Sequence, residues 1–272
     1  MKITILANRD LHSNIAINLL RPHLDTHQVT LFLSKKVGRP REGYSPPEEL
    51  LQLKFLEQDL FLDAISPLAE LRPRVEPDLL TFRQLGEHFG AETQLLQNVN
   101  GKKGLARFVA TEPDLVLSLR YGCILRERAI AVPRLGVLNL HSGLLPRYQG
   151  VLTTLHSLIE DQPEVGCTLH YIDSPAIDAG PIVGTARVDV DPTRSLFWHV
   201  LQLYPKGCKM IGEAIKTLAA GQELAGVQQA GEPSYYGLPE QKHFDALRSQ
   251  GFDVWQRRDV VSLYRRYLSD ET

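Results

Sequence analysis

The amino-terminal part of this chain alternates short β-rich apolar runs with a helical pattern. Residues 2–7 (KITILA) and 28–34 (QVTLFLS) are such runs. Between them, Ser13 and Asn14 offer a helix N-cap ahead of apolar side chains at positions 15, 17, 19 and 20. A strand, a helix and a second strand in this order predict a parallel sheet covered by helices.

The same alternation continues through the rest of the sequence. Further strands are predicted at residues 94–99, 114–119, 136–141, 165–172 and 182–190. Further helices are predicted at residues 48–68, 104–110, 153–160 and 194–220, and residues 35–47 are predicted as a loop. Pro205 lies inside the last helical pattern, so we expect a kink or local break there.

These elements predict an α/β fold, a mostly parallel doubly wound (Rossmann-like) sheet with a small C-terminal segment. We expect residues 1–190 to form the Rossmann-like domain that carries the site. Residues 191–272 are then expected to form a C-terminal helix and a small accessory region.

Composition favours a soluble protein of a reducing compartment. The chain has 272 residues, of which 43% are hydrophobic and 23% charged, as in ordinary globular proteins. Its formal net charge of -2 implies no general attraction to nucleic acid or to an anionic membrane. The three cysteines show no CxxC spacing, which argues against a disulfide framework and favours a cytoplasmic location. No window approaches the roughly 18 apolar residues that a membrane span requires.

Two polar stretches carry the candidate chemistry. Asn139 and His141 alternate along the strand predicted at 136–141, so their side chains share one side of it. They lie at the carboxyl end of a parallel strand, where open α/β sheets bind ligands. The second stretch, residues 173–182 (DSPAIDAGPI), places Asp178 beside a Gly-Pro turn. An amide, an imidazole and a carboxylate at one sheet edge could run acyl transfer to an amine, which needs an oxyanion donor and a base.

The stretch NLHSGLLPRYQG at 139–150, with IDAGPIV at 177–183, resembles the signature of the 10-formyltetrahydrofolate-dependent formyltransferases. This family includes glycinamide ribonucleotide, methionyl-tRNA and sugar N-formyltransferases. The resemblance implies that a formyl group passes from 10-formyltetrahydrofolate, a co-substrate, to an amine. It also implies that Asn139, His141 and Asp178 match the family's catalytic trio. No metal is required by this chemistry.

The resemblance further implies two segments that hold the pterin ring of the folate. The first grips the ring with Ile124 and Leu125 and with the backbone before them, and the second is a loop that closes on it. Their residues are Arg120, Tyr121, Gly122, Cys123, Ile124 and Leu125 in the first, and Asp173, Ser174, Pro175, Ala176 and Ile177 in the second.

Departures from better-known members of the family reduce the range of amine acceptors that we expect. Residues 8–12 (NRDLH) contain neither GxGxxG nor a glycine-rich phosphate loop, which disfavours a dinucleotide and a glycinamide ribonucleotide. About fifty residues follow Gly221, fewer than the tRNA-binding domain of methionyl-tRNA formyltransferases. We therefore expect a small-molecule amine, such as an amino sugar nucleotide or a hydroxyornithine-like precursor, and neither nucleic acid nor a membrane as partner. Residues 35–75 and 221–272 would hold the acceptor specificity, and a homodimer is an open option.

Other readings of the same residues stay open. The protein could be a formyltetrahydrofolate hydrolase, with water in place of the amine, or a non-catalytic paralogue that binds folate or nucleotide. Asp178 could serve an Asx-turn. Arg147 and Tyr148 could contact substrate, or Arg147 could be a solvated loop residue. His156 and His170 are interpreted as structural histidines.

Overall fold

Seven strands form the main sheet of the computed structural model, which describes residues 1–35, 42–71 and 78–268. They are β1 (Lys2–Asn8), β2 (Gln28–Ser34), β3 (Gln94–Leu95), β4 (Leu115–Leu119), β5 (Val137–His141), β7 (Glu164–Tyr171) and β8 (Ile182–Asp189). A separate pair consists of β6 (Gln149–Gly150) and β9 (Tyr235–Tyr236). The main sheet has the order β3-β2-β1-β4-β5-β7-β8.

The first five strands in that order run parallel, and β7 and β8 are antiparallel to their neighbours. The mostly parallel α/β sheet is therefore confirmed. The chain builds outward from β1 to β2 and β3, and then returns to β4 on the other side of β1. The topological switch point, where ligands bind in such sheets, thus lies between β1 and β4.

Ten α-helices connect and cover the strands of the described chain. They are α1 (Leu11–Leu24), α2 (Glu48–Lys54), α3 (Ser66–Leu71), α4 (Phe82–His88), α5 (Lys102–Val109), α6 (Glu127–Ile130), α7 (Thr153–Ile159), α8 (Leu196–Ala219), α9 (Gln241–Ser249) and α10 (Arg257–Tyr264). Two π-helical turns, Phe55–Asp59 and Phe61–Ile65, link α2 to α3 into one helical segment. Residues 36–41 and 72–77, which belong to the region 35–75 considered for acceptor specificity, lie outside the described residues.

Helix α1 begins earlier than the sequence pattern indicated. Its N-cap is Asp10, whose Oδ1 accepts a hydrogen bond from the Ser13 backbone N–H at 2.8 Å. Ser13 and Asn14 are buried inside the first turns, and the Ser13 hydroxyl donates to the Leu119 carbonyl at 3.2 Å. The predicted cap at Ser13-Asn14 is wrong because a carboxylate three residues upstream satisfies the same backbone donor.

Two further boundaries differ from prediction. Strand β3 has only two residues instead of six, because the chain turns away at Asn98, whose Oδ1 accepts from the Asn100 backbone N–H at 3.1 Å. Helix α8 continues through Pro205, so of the predicted kink or local break the break is absent. Pro205 itself is exposed, while Tyr204 and Cys208 on either side are buried in the core. We infer that burial of both halves of α8 offsets the hydrogen bond that proline cannot make.

The C-terminal helices pack on the same hydrophobic core as the sheet. Phe244 and Leu247 of α9, Val260 of α10 and the following Tyr267 are buried there together with Ile3 of β1. The division of the chain at residue 190 stays a prediction. None of the helices in the described ranges is both long and apolar enough to cross a membrane.

Candidate active site

Asn139 lies near the end of β5 and faces a histidine on the neighbouring strand. The antiparallel register places Asn139 directly opposite His170 of β7. The Asn139 Nδ2 atom is 3.0 Å from His170 Nε2, and His170 Nδ1 is 2.8 Å from the Tyr171 carbonyl oxygen. Since a carbonyl only accepts, His170 donates from Nδ1, and its Nε2 accepts from the Asn139 amide. His170 therefore orients Asn139.

His141 is buried, with only 6% of the residue exposed, and its two ring nitrogens have different neighbours. Nε2 lies 2.6 Å from the Tyr148 carbonyl oxygen, so this nitrogen carries a proton and donates. Nδ1 faces Asp178 Oδ2 at 3.5 Å. Burial lowers the pKa of His141, and the Asp178 carboxylate opposes that shift. Nδ1 is thus the nitrogen that can gain or lose a proton beside a carboxylate.

Asp178 is held between two imidazoles. Its Oδ2 accepts a hydrogen bond from the Gly150 backbone N–H at 2.9 Å, and its Oδ1 lies 3.6 Å from His170 Nε2. Burial alone would raise the pKa of Asp178, but His141, the hydrogen bond from Gly150 and His170 together hold it below its ordinary value. Asp178 is therefore a carboxylate at neutral pH, although it is mostly buried.

The loop between β7 and β8 brings Asp178 to this position. Because β7 is antiparallel to β5, its last residue, Tyr171, pairs with Leu138 near the start of β5. Residues 172–181 then double back, and the Tyr171 backbone N–H donates to the Pro181 carbonyl at 2.9 Å where the loop closes. Asp178 thus reaches His141 through the loop that follows an antiparallel strand.

The first predicted pterin segment is held against the body of the protein. The Tyr121 hydroxyl donates to the Leu96 carbonyl at 2.6 Å. The Asn100 side chain donates to the Ile124 carbonyl at 2.8 Å and accepts from the Arg126 backbone N–H at 2.9 Å. Leu125 is buried in the core, whereas the Ile124 side chain is 57% exposed. Ile124 is therefore the member of this segment that offers the most apolar surface to a ligand.

The Arg120 side chain is engaged elsewhere. Its guanidinium donates to Asp10 at 3.0 Å and to Glu57, on the first π-helical turn, at 2.9 Å. Burial raises the pKa of Glu57 to about 7, with Arg120 acting in the opposite direction. The adjacent Gly122 backbone N–H donates to the Ser34 hydroxyl at 3.0 Å. These contacts fix the start of the segment at the switch point between β1 and β4.

The second predicted segment, residues 173–177, lies in the loop before Asp178. Asp173, Ala176 and Ile177 are exposed, and Ser174 and Pro175 are half-buried. The Ile177 side chain is 38% exposed. Ile177 thus presents an apolar side chain to solvent next to the Asp178 carboxylate.

Arg147 and Tyr148 support the loop that follows β5. Arg147 and the Tyr148 hydroxyl each contact Glu160 at 2.7 Å, and the Tyr236 hydroxyl donates to the same carboxylate at 2.8 Å. Tyr148 is only 3% exposed. Glu160 therefore ties the loop to β9 through both residues, and a contact of Arg147 or Tyr148 with substrate stays a prediction.

His170 was interpreted from sequence as structural, yet it contacts two members of the proposed trio. The available signal was its position as a polar residue in an otherwise apolar strand. The antiparallel register that sets it opposite Asn139 could not be read from that signal. In the described part of the chain, no group of three or more His, Cys, Asp or Glu side chains is placed to hold a metal ion.

Comparison with known proteins matches this site to a family. Residues 88–197 match the model of the family described as formyl transferase. These residues include β4, β5 and the loop that carries Asp178. The chain carries a formyl transferase domain. The resemblance expected from the two sequence stretches is confirmed.

A curated relative matches a longer part of the chain than the family model does. A methionyl-tRNA formyltransferase of Methylococcus capsulatus is 32% identical over 187 residues, which are 68% of this chain and 57% of the relative. The chain thus spans little more than half the length of that protein.

Solved structures share the fold over nearly the whole chain. A sugar N-formyltransferase from Shewanella sp. matches with a TM-score of 0.57 and 16% identity, over 99% of this chain and 90% of its own. An N-formyltransferase from Helicobacter canadensis, solved with folinic acid and dTDP-3-aminofucose, matches with a TM-score of 0.53 and 14% identity, over 98% of this chain and 80% of its own. At such identities the likeness shows the common fold.

Proposed function

We propose that this protein is an N-formyltransferase that moves a formyl group from 10-formyltetrahydrofolate to the amine of a small molecule. The observation that carries the proposal is the convergence of Asn139, His141 and Asp178 inside a formyl transferase domain. His141 Nδ1 lies 3.5 Å from Asp178, and Asn139 and Asp178 both contact His170. An amide donor, an imidazole and a charged carboxylate at one place meet the demands of acyl transfer to an amine.

In this proposal each residue handles charge or a proton. The folate supplies the formyl group, whose carbon forms a bond to the amine nitrogen while its bond to the folate nitrogen breaks. The second N–H of the Asn139 amide stabilises the charge that develops on the formyl oxygen, and His141 Nδ1 adds to this once it has taken up the proton that the amine releases. Asp178 stabilises the protonated imidazole. The proton released by the amine passes through the His141–Asp178 pair to the folate nitrogen, so no proton is gained or lost overall.

The pterin site is proposed at Arg120–Leu125 and Asp173–Ile177. Two exposed apolar side chains, Ile124 and Ile177, support it, because a flat heterocycle is bound largely through apolar contacts. Asn100 holds the backbone of the first segment, which supports a pterin site that is formed before the ligand binds. The Helicobacter neighbour was solved with folinic acid, a folate, which supports the same ligand class here.

For the acceptor we propose an amino sugar nucleotide, with a hydroxyornithine-like amine as the second choice. The neighbour solved with dTDP-3-aminofucose shares its fold over 98% of this chain, which supports the first choice. The M. capsulatus relative is a methionyl-tRNA formyltransferase, so tRNA belongs among the acceptors to be tested. A net charge of -2 gives no general attraction to RNA, which disfavours tRNA as the acceptor. A cytoplasmic location and a homodimer stay predictions.

The test follows tetrahydrofolate formation from 10-formyltetrahydrofolate with a panel of amino sugar nucleotides, hydroxyornithine, and charged initiator tRNA. Turnover that depends on an amino sugar nucleotide, and that His141→Ala abolishes, is the expected result. Formate release that needs no amine would show a hydrolase instead. Folate binding by calorimetry without turnover on any acceptor would indicate the non-catalytic paralogue.

A further inference from the structure

A segment beyond the family match crosses both loops of the proposed site. This segment, residues 221–240, is called the strap. Its Val227 exchanges both backbone hydrogen bonds with Ile182, at 2.7 and 2.8 Å, where the Asp178 loop ends. Farther along, the Gln149 backbone N–H donates to the Ser234 carbonyl at 2.9 Å, which joins the strap to the loop after β5. The strap is therefore attached to both loops.

Between those two attachments, the strap reaches the backbone of Asp178 with one side chain. Gln229 Nε2 donates to the Asp178 carbonyl and to the Gly180 carbonyl, each at 2.8 Å. The Asp178 carbonyl also accepts from Gln149 Nε2, at the longer distance of 3.3 Å. Both hydrogens of the Gln229 amide are thus used to hold two carbonyls of the same loop.

Asp178 needs such support because its backbone is strained. Its φ of 50° lies in the left-handed region, which residues with a Cβ atom adopt only uncommonly. The loop is also tight two residues later, where a Cβ on Gly180 would lie 1.9 Å from the Tyr171 carbonyl oxygen. A conformation of this kind persists only when surrounding contacts impose it.

The carboxylate end of Asp178 is held through the strap as well. Its hydrogen-bond donor, the Gly150 backbone N–H, belongs to β6, which pairs with β9 of the strap. The Val151 backbone N–H donates to the Tyr236 carbonyl at 2.8 Å and extends this pairing. The strap therefore acts on Asp178 at its carbonyl directly and at its carboxylate through Gly150.

The oxygen of the Gln229 amide, in contrast, does not hold the Asp178 loop. Gln229 Oε1 is buried without a hydrogen-bond partner in the described ranges. An unpaired buried acceptor costs stability. The side chain is therefore better explained by what its N–H groups do to the Asp178 loop than by a gain in stability for the strap.

We propose that Gln229 is a positioning residue that holds Asp178 beside His141, and this role rests on the proposed formyl transfer. A catalytic group displaced by about 1 Å can cost on the order of a hundredfold in rate. Gln149 still contacts the Asp178 carbonyl when Gln229 is removed, so the loop is loosened and not released.

The kinetic test uses Gln229→Met, which keeps length and neutrality but removes both donors. The expected result is a fall in kcat of about tenfold, with KM for 10-formyltetrahydrofolate within about twofold of the wild type. Gln228→Met is the matched control, because Gln228 is an exposed glutamine of the same strap. The control should keep wild-type kcat. Unchanged kcat in Gln229→Met, or a fall matched by an equal loss of thermal stability, would overturn the proposal.

A second measurement is independent of turnover. The His141 ring is titrated by NMR in the wild type and in Gln229→Met, with His141→Asn to assign its resonance. The Asp178 carboxylate raises the pKa of His141 against the effect of burial, and His170 is the other titratable group that acts on it. Loosening Asp178 should therefore move the His141 titration to lower pH. A wild type that turns over no acceptor would refute the proposed function, and an unmoved His141 titration would refute the role of Gln229.

Discussion

Two groups of ionisable side chains lie along the same sheet, and they differ in how completely their charges are paired. At the switch point, Arg120 makes hydrogen bonds with both Asp10 and Glu57. At the proposed active site, His141 Nδ1 faces Asp178 at 3.5 Å without a hydrogen bond of normal length. At neutral pH the protonation states of Arg120 and Asp10 are therefore fixed, and only Glu57 in that group can titrate. In the active-site group, His141 Nδ1 is free to exchange a proton.

This difference in charge pairing suggests that removing one side chain has a different consequence in each group. In the switch-point group a removed partner leaves a buried charge uncompensated, so stability should suffer. In the active-site group Asp178 keeps its hydrogen bond from the Gly150 backbone N–H when His141 is removed, so turnover should suffer more than stability. The predictions that follow use this contrast.

The largest effect is expected from the active-site group. His141→Ala and Asp178→Asn should each lower kcat by about 10²–10³-fold, because donors and a proton carrier are lost in the transition state. The double mutant should be little worse than the worse single one, since the two residues act as one unit. Steady-state kinetics with a verified acceptor checks this, and calorimetry should show that folate still binds. Near-normal turnover in either single mutant would remove that residue from the mechanism.

The switch-point group should respond in stability. Arg120→Met leaves Asp10, which is fully buried, and Glu57 without their cation, and we expect a loss of about 3 kcal/mol in the free energy of unfolding. Urea denaturation measures it. Arg126→Met is the control, because Arg126 is an exposed arginine directly after the same segment, and its effect on stability should be near zero. If Arg120→Met kept its stability but lost turnover, the predicted difference between the two groups would be wrong.

The pH dependence of stability should report Glu57. Burial raises its pKa from 4.5 to about 7, so between these values the folded protein holds a proton that the unfolded chain has released. The contribution of Glu57 to stability is therefore complete below about pH 4.5 and is lost as the pH rises through 7. Glu57→Gln stays neutral and should become more stable relative to the wild type over this range, by about 2 kcal/mol. Urea denaturation at pH 5 and pH 7.5 gives the comparison. Parallel pH profiles would mean that Arg120 keeps Glu57 ionised.

The smallest effect is expected from His170, which makes its hydrogen bond to the site with Asn139 and lies 3.6 Å from Asp178. His170→Leu removes the acceptor that orients the Asn139 amide, and one such hydrogen bond corresponds to about 1.4 kcal/mol, or tenfold in kcat. Asn139→Ala, measured in parallel, should cost more because it removes the donor itself. An effect of His170→Leu as large as that of His141→Ala would make His170 a full member of the group.

Much of the fold could be predicted from local patterns. Strands β1, β2, β4, β5, β7 and β8 were placed within one or two residues because buried strands leave continuous apolar runs. The cap of α1 was misplaced because Asp10 and Ser13 are both good caps, and only the extended backbone of Asp10 decides between them. The short β3 was overestimated because a turn at Asn98 competes with an apolar run.

The residues of the site also divide into those that the sequence could place and those that it could not. Asn139 and His141 could be placed together from sequence, because alternation along a strand is a local rule with a period of two. The approach of Asp178 depends on an antiparallel strand and a loop that doubles back, and the roles of His170 and Gln229 depend on which segments lie side by side. Such pairings join residues about 30 to 50 positions apart and are decided by packing of the whole core. The local sequence therefore indicated which residues could react, and the tertiary structure decided which groups position them and shift their pKa values.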